Sequence, residues 1–314
     1  MKRFFILILL IPLGWPGILR ALEYRVGTWK TAQTIQPFFY EKYLPEGDHL
    51  ALFTFTNPAD QKTALLAGSL DICGTTLAHA IQSASMGQPV VMVAALCNKA
   101  SALVVKKDRS VMTVTDLKGK RIGYVPGTMH EILLRETLTR NGLSPEKDVT
   151  LIRVDFFDMC LALARGGIDA FLSGEPFPSL AVDQGLGRIL THPYYDQSVG
   201  TINAGMLVTR EMIEKDPMRV AALVKAHVLS TRYLTENQSA WLSKAVEFGT
   251  ALPILEKAAP NMELSWDMDA DFIRKVKALG ERMQSLGLIK KQPDYAALID
   301  PSFVQAVKRN LEVK

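Results

Sequence analysis

Two stretches of this chain repeat each other at a nearly constant distance. Arg25-Val26-Gly27 returns 96 positions later as Arg121-Ile122-Gly123, and Gly68-Ser69-Leu70-Asp71 returns 98 positions later as Gly166-Gly167-Ile168-Asp169. A drift of two positions over that span is too small for accident, so the 314 residues are read as two similar units that turn the same helix-to-strand corner. Gly68 and Gly166 are expected to close a helix in the left-handed conformation, which strains residues that carry a Cβ, and Leu70 or Ile168 to open a buried strand.

The text around the repeats supplies the elements. In the first unit YRVGTW (24–29), HLALFTF (49–55), SLDICG (69–74) and PVVMVAAL (89–96) read as strands, the last apolar throughout as in a buried parallel sheet. TAQTIQPFFYEKYL (31–44), a segment capped by Asn57-Pro58, and TLAHAIQSAS (76–85) read as the helices between them. The second unit restarts with KRIGYV (120–125), DVTLIRV (148–154), IDAFLSG (168–174) and RILTH (188–192), again with helices between. After residue 205 a strand gives way to helical text begun by Asp216-Pro217, so the chain is expected to return to its first unit and wrap it. The predicted fold is α/β and two-lobed, each lobe a mostly parallel sheet flanked by helices. Residues 23–103 and 204–314 form lobe 1 with the C-terminal helices on it, 104–203 form lobe 2, and the crossings fall near 101–106 and 199–206.

Residues 1–22 differ in kind. Lys2 and Arg3 precede an apolar run broken by Pro12, Gly14, Pro16 and Gly17, which reads as an export signal, or as a membrane anchor if it is not cleaved. Removing residues 1–21, with Lys2, Arg3 and Arg20, takes the formal charge from +4 to +1. That balance, with no Lys/Arg stripe, argues against nucleic acid as partner. Cys73, Cys97 and Cys160 match no metal-ligand spacing and read as buried small hydrophobes, with a Cys73–Cys97 disulfide left open. No GxSxG, HExxH or Walker loop is present, and His49, His79, His130, His192 and His227 fall in different elements.

Ligands of open parallel sheets sit beyond the carboxyl ends of the strands, so the cleft between two such lobes is the expected site. The residues there are Trp29, Lys30, Asn57, Thr75, Thr76 and Asn98 from the first lobe and Thr128, Met129, His130, Phe157 and Glu175 from the second. Hydroxyls, amides and aromatics of this kind suit a small polar guest with a flat part. The Pro126-Gly127-Thr128 turn offers helix N–H groups to an anionic group, Trp29 offers a stacking face, and Glu175 offers an acceptor to an amino group. No metal or cofactor is implied.

The motifs VGTW, ALLAGSLDICGTT, DLKGKRIGYVPGT and LARGGIDAFLSGEPFPS together resemble the extracytoplasmic solute-binding proteins of ABC transporters, in the family that serves aliphatic sulfonates, taurine, nitrate and thiamine-precursor pyrimidines. The resemblance covers residues 24–210 and, loosely, the tail. It implies the type II periplasmic-binding fold, a monomer closing on its ligand without turnover, and docking on a membrane permease. It supports Trp29, Thr75, Thr76, Asn98, Thr128, Phe157 and Glu175 as cleft residues, and leaves sulfonate, nitrate and pyrimidine ligands open. The alternative it implies is an enzyme on the same scaffold, a pyrimidine-precursor synthase or a menaquinone-pathway relative. The CCCFC stretch of yeast-type pyrimidine synthases does not occur here.

Overall fold

The computed structural model describes residues 21–312, so the leader reading, apart from Ala21 and Leu22, lies outside the described residues. In the first lobe, β1 (Glu23–Trp29), β2 (His49–Phe55), β3 (Ile72–Thr76) and β4 (Val90–Lys99) are joined in part by α1 (Pro58–Leu66) and α2 (Leu77–Ser85). The second contains β5 (Ser101–Lys106), β6 (Arg121–Tyr124), α3 (Met129–Arg140), β7 (Thr150–Arg153), α4 (Met159–Ala164), β8 (Ala170–Gly174), α5 (Phe177–Asp183) and β9 (Gly187–Thr191). The chain then returns through β10 (Ile202–Thr209) to a set of helices, α6 (Arg210–Lys215) to α12 (Ser302–Glu312), with the short β11 (Met262–Leu264) among them. The longest of these helices are α7 (Pro217–Glu236) and α10 (Ala270–Ser285); α9 (Leu252–Ala258) lies between them.

The two sheets share one strand order. The first runs β11-β4-β10-β3-β1-β2 and the second β7-β6-β8-β5-β9, so β2-β1-β3-β10-β4 corresponds to β7-β6-β8-β5-β9. Both are mixed. β1 lies parallel to β2 and β3, and β6 to β7 and β8, while the strand inserted in each, β10 or β5, is antiparallel to its neighbours. Each inserted strand is the one that brings the chain across from the other sheet.

The repeated words of the sequence have a physical meaning that their spacing alone did not disclose. Asp71 accepts the Arg25 backbone N–H (2.8 Å) and its guanidinium (2.6 Å); Asp169 does the same for Arg121 at 3.0 and 2.9 Å. Two residues on, a Cβ on Gly27 would sit 2.6 Å from Leu70 Cδ1, and one on Gly123 2.8 Å from Ile168 Cδ1. Each unit is thus an ion pair that clamps the start of the first strand to the corner, plus a glycine that lets the corner's aliphatic side chain cross the sheet. Gly68 and Gly166 close their helices at φ +74° and +70°, as expected.

Two local expectations change. Residues 31–44 form two 3-10 pieces, Ala32–Thr34 and Gln36–Tyr43, because Pro37 lacks an N–H and restricts the residue before it. Ser101–Lys106, read as a crossing, is a strand of the second sheet. The change of sheet falls at Lys99 and Ala100, both left-handed at φ 60° and 74°. Hydrogen bonds hold that corner: Lys99 N–H to Thr201 O and Ala100 N–H to Asn261 O (2.7 Å each), Asn203 Nδ2 to Lys99 O and Glu175 N–H to Ala100 O (2.8 Å each). They offset a strain of about 1–2 kcal/mol per left-handed non-glycine residue. The C-terminal helices complete the first lobe's core, with Leu223, Val276, Leu279 and Val304 in the same buried cluster as Val26, Ile72 and Leu96.

Candidate functional site

The facing ends of the two sheets enclose a narrow cavity of about 30 Å³, room for a water and not for a larger guest until the lobes part. Its wall is Trp29, Thr31, Gln33, Thr34, Thr76, Cys97, Asn203 and Ala204 from the first lobe, and His130, Phe156, Phe157 and Phe177 from the second. No lysine, arginine or carboxylate stands in this wall. The lobes touch around it: Thr76 Oγ1 donates to Gly127 O (3.5 Å), Asn57 Nδ2 to Asp155 Oδ1 (3.2 Å), and Lys257 on α9 pairs with Asp183 on α5 (3.4 Å).

Of the residues expected at the site, Trp29, Thr76, His130 and Phe157 line the cavity. Trp29, at the end of β1, is 5% exposed, and its Nε1 has no hydrogen-bond partner among the described residues. Thr76 caps α2. His130 is buried with its Nδ1 3.1 Å from Ser101 Oγ and its ring edge-on to Phe156; burial lowers its pKa to about 4, so the imidazole is neutral at pH 7. Phe157 packs edge-on against Phe177, centroids 5.1 Å apart.

The other seven lie off the wall. Thr75 points to the opposite face from Thr76, as strand alternation requires, and donates to Pro58 O. Asn57 caps α1 and bridges to Asp155, while Lys30 is exposed. Asn98 donates to Glu263 Oε1 (2.8 Å). Thr128 is the cap of α3, donating to Val125 O, and Met129 is core. Glu175 is buried beneath α5, where its carboxylate accepts from Ser179 N–H (3.1 Å) and Asn261 Nδ2 (3.4 Å); burial raises its pKa against those bonds. The anion seat expected at 126–128 is taken by the chain itself, since Gly127 N–H donates to Glu131 Oε2 (2.7 Å).

Sequence reasoning missed Thr31, Gln33 and Thr34 because it placed them inside a helix, and Asn203 and Ala204 because β10 runs antiparallel and brings its amino end to the cleft. Cys97 was read as a plain buried hydrophobe. All three cysteines are free and buried, and burial pushes the Cys97 thiol up to about 12.

The two-lobed α/β scaffold has the fold of solved periplasmic binding proteins. A ligand-binding component of an ABC-type import system from Staphylococcus aureus, solved with zinc bound, superimposes with a TM-score of 0.80 at 17% identity, covering 92% of this chain and 99% of that one. The alkanesulfonate-binding protein SsuA from Xanthomonas axonopodis pv. citri, bound to MOPS, gives 0.78 at 20% identity, covering 89% and 98%. These likenesses establish the fold. Among the described residues no cluster of three His, Cys, Asp or Glu is placed to hold a metal ion, and no helix is long and apolar enough to cross a membrane.

The chain belongs to the NMT1/THI5 like family, whose model matches residues 43–240. A relative in Schizosaccharomyces pombe, 4-amino-5-hydroxymethyl-2-methylpyrimidine phosphate synthase, is 33% identical over 138 residues, 44% of this chain and 38% of that protein. The chain therefore matches well under half the length of that relative.

Proposed function

We propose that this protein is the extracytoplasmic solute-binding component of an ABC importer, closing its lobes about the Lys99–Ala100 corner and the return segment before β10. Its solute, on this reading, is a flat, uncharged heterocycle of the aminopyrimidine kind, which it hands to a membrane permease. The observation that carries the reading is the wall itself: four aromatic side chains, Trp29, Phe156, Phe157 and Phe177, a neutral imidazole and no charged group. Rings favour a flat guest by stacking and edge contacts worth about 0.5–1.5 kcal/mol per pair. An oxyanion such as a sulfonate or nitrate finds no cation here, and the nearby α3 N-terminus already holds the Glu131 carboxylate. The name of the pyrimidine synthase relative points to the same class of compound.

Native mass spectrometry of the protein purified from its host, followed by calorimetry with 4-amino-5-hydroxymethyl-2-methylpyrimidine, methanesulfonate and nitrate, tests this. A co-purifying heterocycle and binding of the pyrimidine alone are expected; preferential binding of either anion would overturn the choice of solute. The enzymatic alternative predicts a product mass on incubation, whereas a binding protein returns its solute unchanged. The wall is poorly equipped for that alternative: the buried His130 is neutral, the Cys97 thiol is protonated, and no carboxylate or amine faces the cavity.

A further inference from the structure

Most hydrogen-bonding groups in the cavity wall are already engaged with the protein. Thr31 and Thr34 bond each other through their hydroxyls (2.8 Å), and Thr34 Oγ1 also donates to Trp29 O (3.2 Å). Thr76 is shared between His79 and Gly127, Asn203 Nδ2 is bound to Lys99 O, and His130 Nδ1 meets Ser101 Oγ. Two buried groups stand apart: Trp29 Nε1 and Gln33 Oε1 have no partner among the described residues. Both side chains line the cavity and both come from the short stretch that leaves β1. The Cζ3 edge of the Trp29 indole lies against the sheet at Gly74, which puts Nε1 on the other side of the ring. Gln33 reaches across the cleft, its Nε2 close to Gly174 of the second lobe.

An unpaired buried donor and an unpaired buried acceptor are each costly, and both are relieved if a guest brings the complementary pair. We infer that Trp29 Nε1–H and Gln33 Oε1 are the specificity pair of this site, reading one acceptor and one donor on the guest. Such an edge is that of a ring nitrogen with a neighbouring exocyclic amine. Trp29 is then a hydrogen-bond donor first and a packing surface second. This rests on the solute class proposed above and names the two groups that select within it. An oxyanion, which has acceptors alone, would satisfy Trp29 and leave Gln33 Oε1 facing negative charge.

The test uses the full chain and two probes of equal shape at pH 8, 4-amino-2-methylpyrimidine and 2,4-dimethylpyrimidine, in which a methyl replaces the amine, with methanesulfonate as the acceptor-only probe. Calorimetry on the parent protein is expected to favour the amine by about 10- to 100-fold. Trp29→Phe, which keeps a ring, should weaken 4-amino-2-methylpyrimidine by a similar factor, and Gln33→Leu should erase the preference for the amine. Gln33→Glu, which keeps the acceptor, should retain it. Circular dichroism confirms that each variant is folded. If both probes bind and neither Trp29→Phe nor Gln33→Leu changes their ratio or affinity, the assignment of the pair is wrong while the heterocycle reading stands. If methanesulfonate binds and Gln33→Glu abolishes that binding, Gln33 presents its amide N–H to an anion, and the assignment is overturned. If no pyrimidine binds the parent protein at all, the solute class itself fails and the pair fails with it.

Discussion

Lowering the pH should loosen the grip of this protein on its solute, and His79 is the residue that dictates by how much. It stands on α2 of the first lobe, 4% exposed, under the 126–127 corner of the second. Its Nδ1 lies 3.2 Å from Thr76 Oγ1, the Pro126 carbonyl lies near the ring, and a Cβ on Gly127 would lie 2.5 Å from its Nε2. The groups around it are Thr76, that carbonyl and the Lys62 ammonium, whose charge adds to burial in lowering the pKa from 6.5 to about 4. Opening the lobes uncovers the ring and returns it toward 6.5. The neutral ring is therefore preferred when the cleft is shut, so closure is unaffected above pH 7 and is penalised as pH falls through 6.5, the penalty levelling off below 4. At pH 5 the open form is favoured by a factor of at most about 30, or about 2 kcal/mol, relative to pH 7.5, because Lys62 stays beside the ring in both forms. Calorimetry with the co-purifying solute at pH 7.5 and 5.0 reads the effect, comparing the parent with His79→Gln. Titration of the solute or of His130 is common to both proteins and cancels in the difference. The parent should lose about 10- to 30-fold more affinity than the variant over this range. Equal pH slopes would show that His79 stays neutral, or stays covered, in both forms, and would refute the reasoning.

Two further outcomes follow from the repeat and the cleft. Asp71 is fully buried and receives Arg219 (2.9 Å) as well as Arg25, whereas Asp169 is one-fifth exposed. Asp71→Ala should cost about 2–3 kcal/mol in urea unfolding by removing the buried acceptor that Arg25 and Arg219 share, although both keep other partners, and Asp169→Ala about 1 kcal/mol; equal costs would contradict the burial argument. Gly174→Ala adds a Cβ 2.9 Å from Gln33 Nε2 and 3.0 Å from His130 Nε2, so it should weaken pyrimidine binding about tenfold by displacing both side chains and, because His130 is buried in the same lobe, cost about 1 kcal/mol in thermal unfolding. Unchanged affinity would mean that the cleft does not shut as tightly as it stands here.

The fold was legible because its two halves are written with the same words, and those words carry the constraint. An Arg, a Gly, a left-handed Gly and an Asp at fixed offsets define one corner, and the corner fixes where the strands before and after it lie. What the spacing could not give was the pairing of Arg25 with Asp71 and Arg121 with Asp169, since both pairs span more than 40 positions. The crossing was placed a few residues late because Lys99 and Ala100 turn left-handed without a glycine, and Val90–Lys106 reads as unbroken strand text. For the site, the rule that ligands gather beyond strand ends picked out Trp29, Thr76, His130 and Phe157 of the cavity wall and no wall residue at the ends of β4, β8 or β10. It could not tell Thr75 from Thr76, which alternation separates, nor see that the Glu175 carboxylate is taken by Ser179 and Asn261.

The two lobes are alike in topology and unlike in what they bring to the cleft. The first contributes every hydroxyl and amide of the wall; the second contributes four rings, Phe156, Phe157, Phe177 and the neutral His130. The loop holding Trp29, Thr31 and Gln33 is braced within the first lobe, by Thr28 Oγ1 to Thr34 O (2.8 Å) and by Trp241 Nε1 to Ala32 O (2.6 Å). Its hydrogen-bonding edge is therefore built before the second lobe arrives, which lowers the ordering cost of the first encounter. On the function proposed above, a guest that matches this edge would be held on lobe 1, and the rings of lobe 2 would then gain their contacts on closing over its flat surface. Selection by hydrogen bonds and retention by apolar cover would be separate steps, made by separate lobes. A guest of the right shape but the wrong edge would leave two buried groups of lobe 1 unpaired while still meeting the rings of lobe 2.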